Sequence, residues 1–229
     1  MTRAVAIFSG GIDSTTLLYS LREQRLQLSA LTFDYGQRHS KEIDAARMIA
    51  THAGIEHHVV DLRALRPLFG RSSLTDETVP IPNGSYTADS MKVTVVPNRN
   101  GIMLDIAVAH AVATGATLVA FGAHAGDHFI YPDCRPTYVD AFEKAARLGN
   151  EGFANPDLRV VAPFSGMTKV DIVRLAVKLR VPLASTWSCY VGAKVHCGLC
   201  GTCNERIEAF READVPDPTA YAATLMDRS

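Results

Sequence analysis

Short apolar runs alternate with amphipathic stretches along most of the chain. The apolar runs have the length and composition of buried strands, and the amphipathic stretches have helical spacing. We expect strands at 4–8, 28–33, 57–61, 118–122 and 159–162, and helices at 15–24, 40–53, 101–114, 137–148, 168–179 and 205–213. Strands that alternate with helices favour an α/β fold, with a doubly wound, mostly parallel sheet and helices on both faces.

One segment, residues 68–99, does not follow this alternation. It contains Pro80, Pro82 and Pro97 together with many Ser, Thr and Asn residues, so we expect it to be mostly loop. Long loops in compact domains are usually functional or disordered. The segment is therefore interpreted either as a cover that crosses the mouth of an active site or as a surface excursion.

Composition restricts the class of protein. The chain has 229 residues, 47% of them hydrophobic, which suffices for one good core. Its net charge of -1 favours a small-molecule substrate and argues against direct binding of nucleic acid. We see no export signal, and no apolar run approaches the ~18 residues that span a bilayer. The expectation is a cytoplasmic enzyme with no membrane partner.

The first chemical motif lies between the first strand and the first helix. Residues 8–14 read Phe-Ser-Gly-Gly-Ile-Asp-Ser. The two glycines allow successive backbone N–H groups to point into one concavity at the positive end of the helix, and the serines add hydroxyl donors. Asp13 can hold Mg²⁺ beside a polyphosphate. The motif predicts a phosphate site, and the alternative is a glycine-rich turn that binds nothing.

The second chemical motif is a set of cysteines near the C-terminus. Cys189, Cys197, Cys200 and Cys203 have the close spacings of a metal knuckle, and intervening glycines supply the tight turns. We expect Zn²⁺ in a closed, structural site; an iron-sulfur cluster and two disulfides are the alternatives. His196 can in principle replace one sulfur, but its position beside Cys197 makes joint ligation awkward.

Motif 8–14 lacks the Gly-Lys-Ser/Thr ending of a Walker loop and resembles the PP-loop of ATP pyrophosphatases. With the cysteines, the whole chain resembles the 7-cyano-7-deazaguanine synthase family. The resemblance rests on residues 8–16, 33–39, 96–100, 131–135 and the four cysteines. It implies that ATP and ammonia convert a 7-carboxy-7-deazaguanine to the nitrile in two adenylation rounds, and that the enzyme is a homodimer.

The resemblance also implies which residues serve the reaction. The PP-loop domain would span 1–184, and the zinc knuckle with a helical tail, packed on the same domain, would span 185–229. Zinc would bind the four cysteines. ATP contacts would come from Phe8, Ser9, Gly10, Gly11, Ile12, Asp13, Ser14, Thr15, Thr16, Leu17 and Leu18.

Further roles are assigned by residue chemistry. We expect catalytic roles for Ser9, Asp13, Ser14, Arg38 and Arg99. The two arginines are included because a guanidinium can neutralise phosphate or a substrate carboxylate. For either arginine the alternative is an ordinary surface salt bridge.

Substrate contacts are expected from the segment after the fourth strand. Asp127, Asp133 and Arg135 are candidates to bind the guanine-like edge. The lone Cys134 is interpreted as a packed or substrate-touching thiol, because adenylation makes a covalent nucleophile redundant.

Residues 124–130 depart from the Ser-Gly pair that many family members carry. This leaves open, as one alternative, an enzyme that delivers a related acid to another amine. A second alternative, which the PP-loop itself leaves open, is a tRNA-modifying PP-loop enzyme. The second would need a basic docking surface, which the composition does not favour.

Overall fold

Within residues 2–223, which the computed structural model describes, five parallel strands form one sheet in the order β3-β2-β1-β4-β5. The strands are β1 (Arg3–Ile7), β2 (Gln27–Asp34), β3 (Glu56–Asp61), β4 (Leu118–Ala120) and β5 (Arg159–Val161). All the strands expected from the apolar runs are present. The predicted parallel α/β sheet is confirmed.

Seven α-helices accompany these strands within the same described residues, five of them before β5 and two after it. They are α1 (Ile12–Glu23), α2 (Lys41–Ala53), α3 (Ala88–Met91), α4 (Arg99–Thr114), α5 (Pro136–Gly149), α6 (Lys169–Lys178) and α7 (Gly201–Ala213). The expected helices are confirmed. The start of the last is displaced most, because α7 begins at Gly201 rather than at residue 205.

The two faces of the sheet bury different side chains. One face carries larger residues such as Val5 and Leu31 and packs on α4, where Leu104 is fully buried. The other face carries alanines such as Ala6 and Ala30, which let α1, α2 and α6 approach closely. Both faces are covered, which is why the strands read as continuous apolar runs. Replacing Leu104 by Ala would cost about 2–5 kcal/mol of stability.

The strand order reverses next to β1. This strand pairs with β2 on one side, with Ala6 opposite Ala30, and with β4 on the other, with Ala6 opposite Ala120. The connections after β1 and β4 therefore diverge at the carboxyl ends of the strands and leave a crevice between them. Ligands in open α/β sheets bind at such a point.

The segment 68–99 is mostly loop, as expected, apart from α3 and short 3₁₀ turns. It runs to the cysteine-rich tail: Asn83 forms a bridge with Cys200, and the N–H of Gly84 donates to the carbonyl of Leu199 at 2.9 Å. Tyr86, just beyond this contact, lines the crevice. These contacts support the interpretation of the segment as a cover.

The C-terminal part packs on the sheet domain through α7. Phe210 and Ala209 of this helix join a buried cluster with Ile12 of α1 and Val173 of α6. The proposed boundary at residue 185 stays a prediction, and residues 224–229 of that unit lie outside the described part. In residues 2–223, no helix is both long and apolar enough to cross a membrane.

Candidate active site

A cavity of about 240 Å³ opens at the carboxyl ends of β1 and β4. The β1–α1 turn, the chain after β4, the first turn of α4, the start of α6 and the tail around α7 all contribute to its wall. These segments are distant in sequence, and the parallel sheet brings them together because their strands end at the same edge. The cavity holds both the predicted phosphate loop and much of the predicted substrate wall.

The β1–α1 turn has the shape of a phosphate loop. Gly10 has φ of 82°, and a Cβ atom there would lie 2.5 Å from the carbonyl oxygen of Glu42, so only glycine fits. The N–H of Ser9 donates to Ser14 Oγ at 3.2 Å, which closes the turn. Gly11 caps α1 without a side chain, which leaves the N–H groups of the first turn open to an anion.

The residues predicted to bind ATP divide into two groups. Those that line the cavity are Phe8, Ser9, Gly11, Ile12, Asp13 and Ser14. Gly10 shapes the turn, while the hydroxyls of Thr15 and Thr16 donate back to helix carbonyls at 2.7 Å. Leu17 and Leu18 are buried in the core. The cavity therefore supports direct contact from 8–14 and structural roles for the rest.

Beside the phosphate loop, one lysine holds two carboxylates. Lys169 Nζ lies 2.6 Å from Asp13 Oδ2 and 3.1 Å from Glu205 Oε2. Burial raises the pKa of Asp13, but the charges of Lys169 and His124 outweigh burial and leave that pKa below its ordinary value. Burial raises the pKa of Glu205 despite the same two charges. This arrangement fixes a carboxylate and an ammonium next to the loop.

His124 and Asp127 follow β4 and cap the next turn together. The N–H of His124 donates to Asp127 Oδ2 at 3.0 Å, and the N–H of Gly126 donates to His124 Nδ1 at 3.1 Å. His124 Nε2 faces Asp127 at 3.6 Å and Glu205 at 3.7 Å. We call Asp13, Lys169, Glu205, His124 and Asp127 the loop end of the cavity.

The opposite part of the cavity is aromatic. Arg99 lies over the ring of Tyr35, with its guanidinium carbon 5.7 Å from the ring centroid, and donates to the Tyr35 hydroxyl at 3.3 Å. Tyr131 and Tyr190 also line this part. Burial raises the pKa of Tyr35 to about 12, so the phenol stays neutral. We call Arg99 with Tyr35, Tyr131 and Tyr190 the tyrosine end.

Outside the phosphate loop and its helix, three further predicted site residues do not line the cavity. Arg38 donates to the backbone carbonyls of Ser73 at 3.4 Å and Val79 at 3.0 Å, which ties it to the cover segment. Asp133 accepts from Asn100 Nδ2 at 3.1 Å, and the exposed Arg135 donates to the carbonyl of His128 at 2.9 Å. The structure gives these three side chains structural contacts; of the predicted substrate residues, Asp127 is the one that lines the cavity.

The four cysteines converge as the sequence predicts. Their sulfur atoms all lie within 4.8 Å of one another, and those of Cys197 and Cys203 are 3.9 Å apart. Tetrahedral Zn²⁺ with Zn–S bonds of about 2.3 Å requires sulfurs about 3.8 Å apart, so the donor set fits this ion. Hydrogen bonds shared among the four thiols lower the pKa of Cys197 and Cys200 and raise the pKa of Cys189 and Cys203.

His196 is not part of this cluster. Its Nε2 accepts from the N–H of Ser188 at 3.0 Å, and its ring packs on Trp187 with centroids 4.3 Å apart. The N–H groups of Cys197, Leu199 and Cys200 instead point at cysteine sulfurs, each at 3.3 Å. The four thiols therefore form the cluster, and the histidine lies outside it.

Sequence reasoning missed Lys169, Glu205 and the tyrosines of the cavity. For Lys169 the sequence does contain one indication of a site residue. It is the first residue of a helix that follows a strand, so it must lie at the carboxyl edge of the sheet. For Glu205 the sequence evidence for a site residue is weaker. The predicted helix starts at Glu205, whereas α7 begins at Gly201, inside the cysteine knuckle. The pairing of Lys169 with Asp13 joins residues 156 positions apart, which no local pattern contains.

Comparison with known sequences gives one consistent family. The family model described as queuosine biosynthesis protein QueC matches residues 3–214. A relative from Ruegeria sp. (strain TM1040), named 7-cyano-7-deazaguanine synthase, is 49% identical over 221 residues, 96% of this chain and 93% of the relative. A relative of the same name from Brucella ovis is 47% identical over 219 residues, with the same coverage of both chains.

Solved structures share the fold at low identity. A 4-thiouridine synthetase in complex with RNA and bound ATP is 17% identical with a TM-score of 0.51, covering 99% of this chain and 49% of that one. A predicted subunit of a tRNA methyltransferase from Methanocaldococcus jannaschii is 16% identical with a TM-score of 0.50, covering 77% and 75%. These likenesses concern the fold alone.

Proposed function

The chain belongs to the family of the queuosine biosynthesis protein QueC, and on that premise we propose that it converts 7-carboxy-7-deazaguanine and ammonia to 7-cyano-7-deazaguanine with ATP. The observation that carries the proposal is identity of 49% and 47% to synthases of that product over 96% of the chain. The cavity supports it, because a phosphate loop and an aromatic recess line the same cavity.

The chemistry requires two activations. A carboxylate is inert to ammonia because its leaving group would be oxide, so its oxygen must first attack the α-phosphate of ATP and release pyrophosphate. Ammonia then displaces AMP and gives the primary amide. In the second round the amide oxygen attacks another ATP, and loss of AMP with the protons on nitrogen leaves the nitrile. One loop serves both rounds, since both adenylate an oxygen on the same carbon.

The phosphate loop would hold ATP by its backbone and by Ser9 and Ser14, whose hydroxyl oxygens lie 3.0 Å apart at the turn. Asp13 fits the predicted Mg²⁺: among residues 2–223, its Oδ1 is buried with no hydrogen-bond partner, while Oδ2 is held by Lys169. Bound there, Mg²⁺ would neutralise charge on the polyphosphate. Asp13 presents one fixed oxygen to it.

Lys169 would neutralise charge that accumulates on the departing pyrophosphate. It lines the cavity beside the loop and is oriented by two carboxylates, so it needs no reorganisation during the reaction. Burial lowers the pKa of Lys169, but Asp13 and Glu205 outweigh burial and raise it above the ordinary value. The ammonium therefore stays charged throughout the working range of pH.

The tyrosine end would receive the flat heterocycle. Tyrosine rings supply apolar surface with a polar edge, and Asp127 of the loop end contacts a further tyrosine, since its Oδ1 accepts from the Tyr86 hydroxyl at 3.3 Å. An acid at this place can accept from the ring N–H and amino group of a guanine-like edge. We assign this role to Asp127, and we assign Asp133 a supporting role through Asn100.

The cysteine cluster would hold Zn²⁺ as a structural ion, since four thiolates close its coordination. It would stabilise the tail that carries Tyr190 on one side and Glu205 on the other. Zinc content is checked by elemental analysis. The homodimer and the cytoplasmic location stay predictions, which sedimentation analysis and cell fractionation address.

The deciding experiment is incubation with ATP, Mg²⁺ and the 7-carboxy substrate, with and without ammonium, followed by mass spectrometry. We expect AMP release that depends on the acid, and amide followed by nitrile when ammonium is present. An adduct with a different amine would favour the alternative acceptor, and turnover only with added tRNA would favour the tRNA-modifying alternative. Either result, or no turnover with the acid, would overturn the proposal.

A further inference from the structure

Three basic side chains with permanent charge line the cavity, and one of them has no acidic partner. Lys169 is paired with Asp13 and Glu205, and Arg206 with Asp217 at 3.2 Å. Among residues 2–223, no carboxylate oxygen lies within 4.0 Å of the Arg99 guanidinium, whose hydrogen bond goes to the neutral Tyr35. Arg99 is thus a half-buried charge without a counter-ion.

The acids that line the cavity, and Asp133 next to Asn100, contact other partners. Glu42 accepts from Gln37 Nε2 at 2.9 Å, and Asp133 accepts from Asn100. Asp127 accepts hydrogen bonds from the N–H of His124 and from the Tyr86 hydroxyl at the loop end. Placing a guanidinium in a recess without an anion is costly, so the arrangement is typical of a site whose counter-ion arrives with the ligand.

We propose that Arg99 binds the substrate carboxylate and distinguishes the two rounds of the reaction, so that it is needed for the acid and contributes little to the amide. The inference rests on the proposed function. A carboxylate offers two acceptor oxygens that match the fork of a guanidinium. The amide carries no charge, and its NH₂ group would face N–H donors. The favourable pairing is therefore available to the first substrate alone.

The test compares Arg99→Met with the wild-type enzyme on the 7-carboxy acid and on the corresponding primary amide, each measured as ATP-dependent AMP release. We expect kcat/KM for the acid to fall by about 100-fold or more, the range seen when one partner of a desolvated charge pair is lost. For the amide we expect a fall of less than about tenfold.

Arg99→Lys keeps the charge but not the fork, and it remains informative if Arg99→Met does not fold. Its loss of activity should again be greater on the acid than on the amide, but the difference between the two losses should be smaller than for Arg99→Met. Equal losses on the two substrates, for either variant that still binds ATP by calorimetry, would overturn the assignment and place Arg99 on the nucleotide or on the shared ring. Failure of the wild-type enzyme to act on either substrate would instead contradict the proposed function.

Discussion

The two ends of the cavity solve opposite electrostatic problems. At the loop end, Lys169 has two carboxylates as partners, at 2.6 Å from Asp13 and 3.1 Å from Glu205, so the acids outnumber the ammonium. At the tyrosine end, Arg99 stands among neutral phenols with no carboxylate within 4.0 Å among the described residues. Within residues 2–223, Lys169 has its counter-ions before any ligand binds, and Arg99 does not.

This difference matches what each end would receive. ATP brings Mg²⁺ with it, so the loop end needs fixed directions for metal and phosphate more than it needs net charge. The acid binds as an anion without a metal ion, so the tyrosine end benefits from a cation that has no other counter-ion, the Arg99 guanidinium. We therefore expect the loop end to be essential to both rounds and Arg99 to matter only to the round that starts from the acid.

Loss of the Asp13 carboxylate should have the largest effect, because both rounds use the loop end. Asp13→Asn removes the oxygen expected to hold Mg²⁺ and the partner of Lys169. We expect kcat to fall by about 1000-fold with the acid and with the amide alike, comparable to losing a preorganised electrostatic group. The measurement is pyrophosphate release, with exposed Asp140→Asn as the matched control. A loss confined to one substrate would contradict the division between the ends.

Removal of the lysine charge should move the pH profile. In the wild-type chain, Lys169 and His124 outweigh burial and keep the pKa of Asp13 low, so this carboxylate stays ionised as the pH falls. In Lys169→Met burial is opposed only by the charges of His124 and Arg206, and the pKa of Asp13 should rise. We expect kcat to fall by about 100-fold and the acidic limb of kcat/KM to move to higher pH.

The experiment on Lys169→Met measures kcat/KM for both substrates between about pH 5 and pH 8. This pH range lies above the ordinary pKa of an aspartate. Lys178→Met, at the other end of α6, is the control for loss of a surface lysine. An acidic limb that does not move would mean that Asp13 does not limit the rate, and it would remove the electrostatic role given to Lys169.

Metal removal should affect both ends moderately, because the cysteine knuckle positions one residue of each end. Tyr190 lies between two ligands and lines the tyrosine end, while Glu205 follows Cys203 and reaches Lys169. We expect Cys200→Ser to lose zinc and about 4 kcal/mol of stability, the scale of losing a structural metal. Elemental analysis and thermal unfolding measure this. Unchanged kinetics on both substrates in the metal-free protein would separate the knuckle from the cavity.

The sequence predicted the fold better than it predicted the site. Buried parallel strands are apolar on both faces, so runs such as 28–33 are visible without any partner, and the capping pair Thr168 and Asp171 marks the start of α6. The phosphate loop and the cysteines were found because each is contained in a short segment. Their geometry depends on neighbours a few residues away.

The electrostatic partners could not be read in that way. Lys169 meets Asp13 and Glu205 only after β5 and α7 have been placed against the sheet, and Arg38 has the right chemistry for phosphate but is held by backbone carbonyls of the cover segment. Helix starts were also displaced where unusual backbone preceded them. Asn98, with φ of 54°, lets α4 begin at Arg99 rather than at residue 101.

The smallest effect is expected at Cys134, which lies at the tyrosine end without carrying charge. Burial raises the pKa of this thiol well above its ordinary value, and Asn100 Nδ2 lies 3.3 Å from its sulfur. A protonated, buried thiol is a poor nucleophile. Cys134→Ser should therefore retain turnover within about tenfold on both substrates and lose about 1 kcal/mol of stability. Steady-state kinetics and thermal unfolding measure these two quantities. Complete loss of activity with intact ATP binding would show that the tyrosine end does covalent chemistry, and the contrast between a reactive loop end and a recognising tyrosine end would then be wrong.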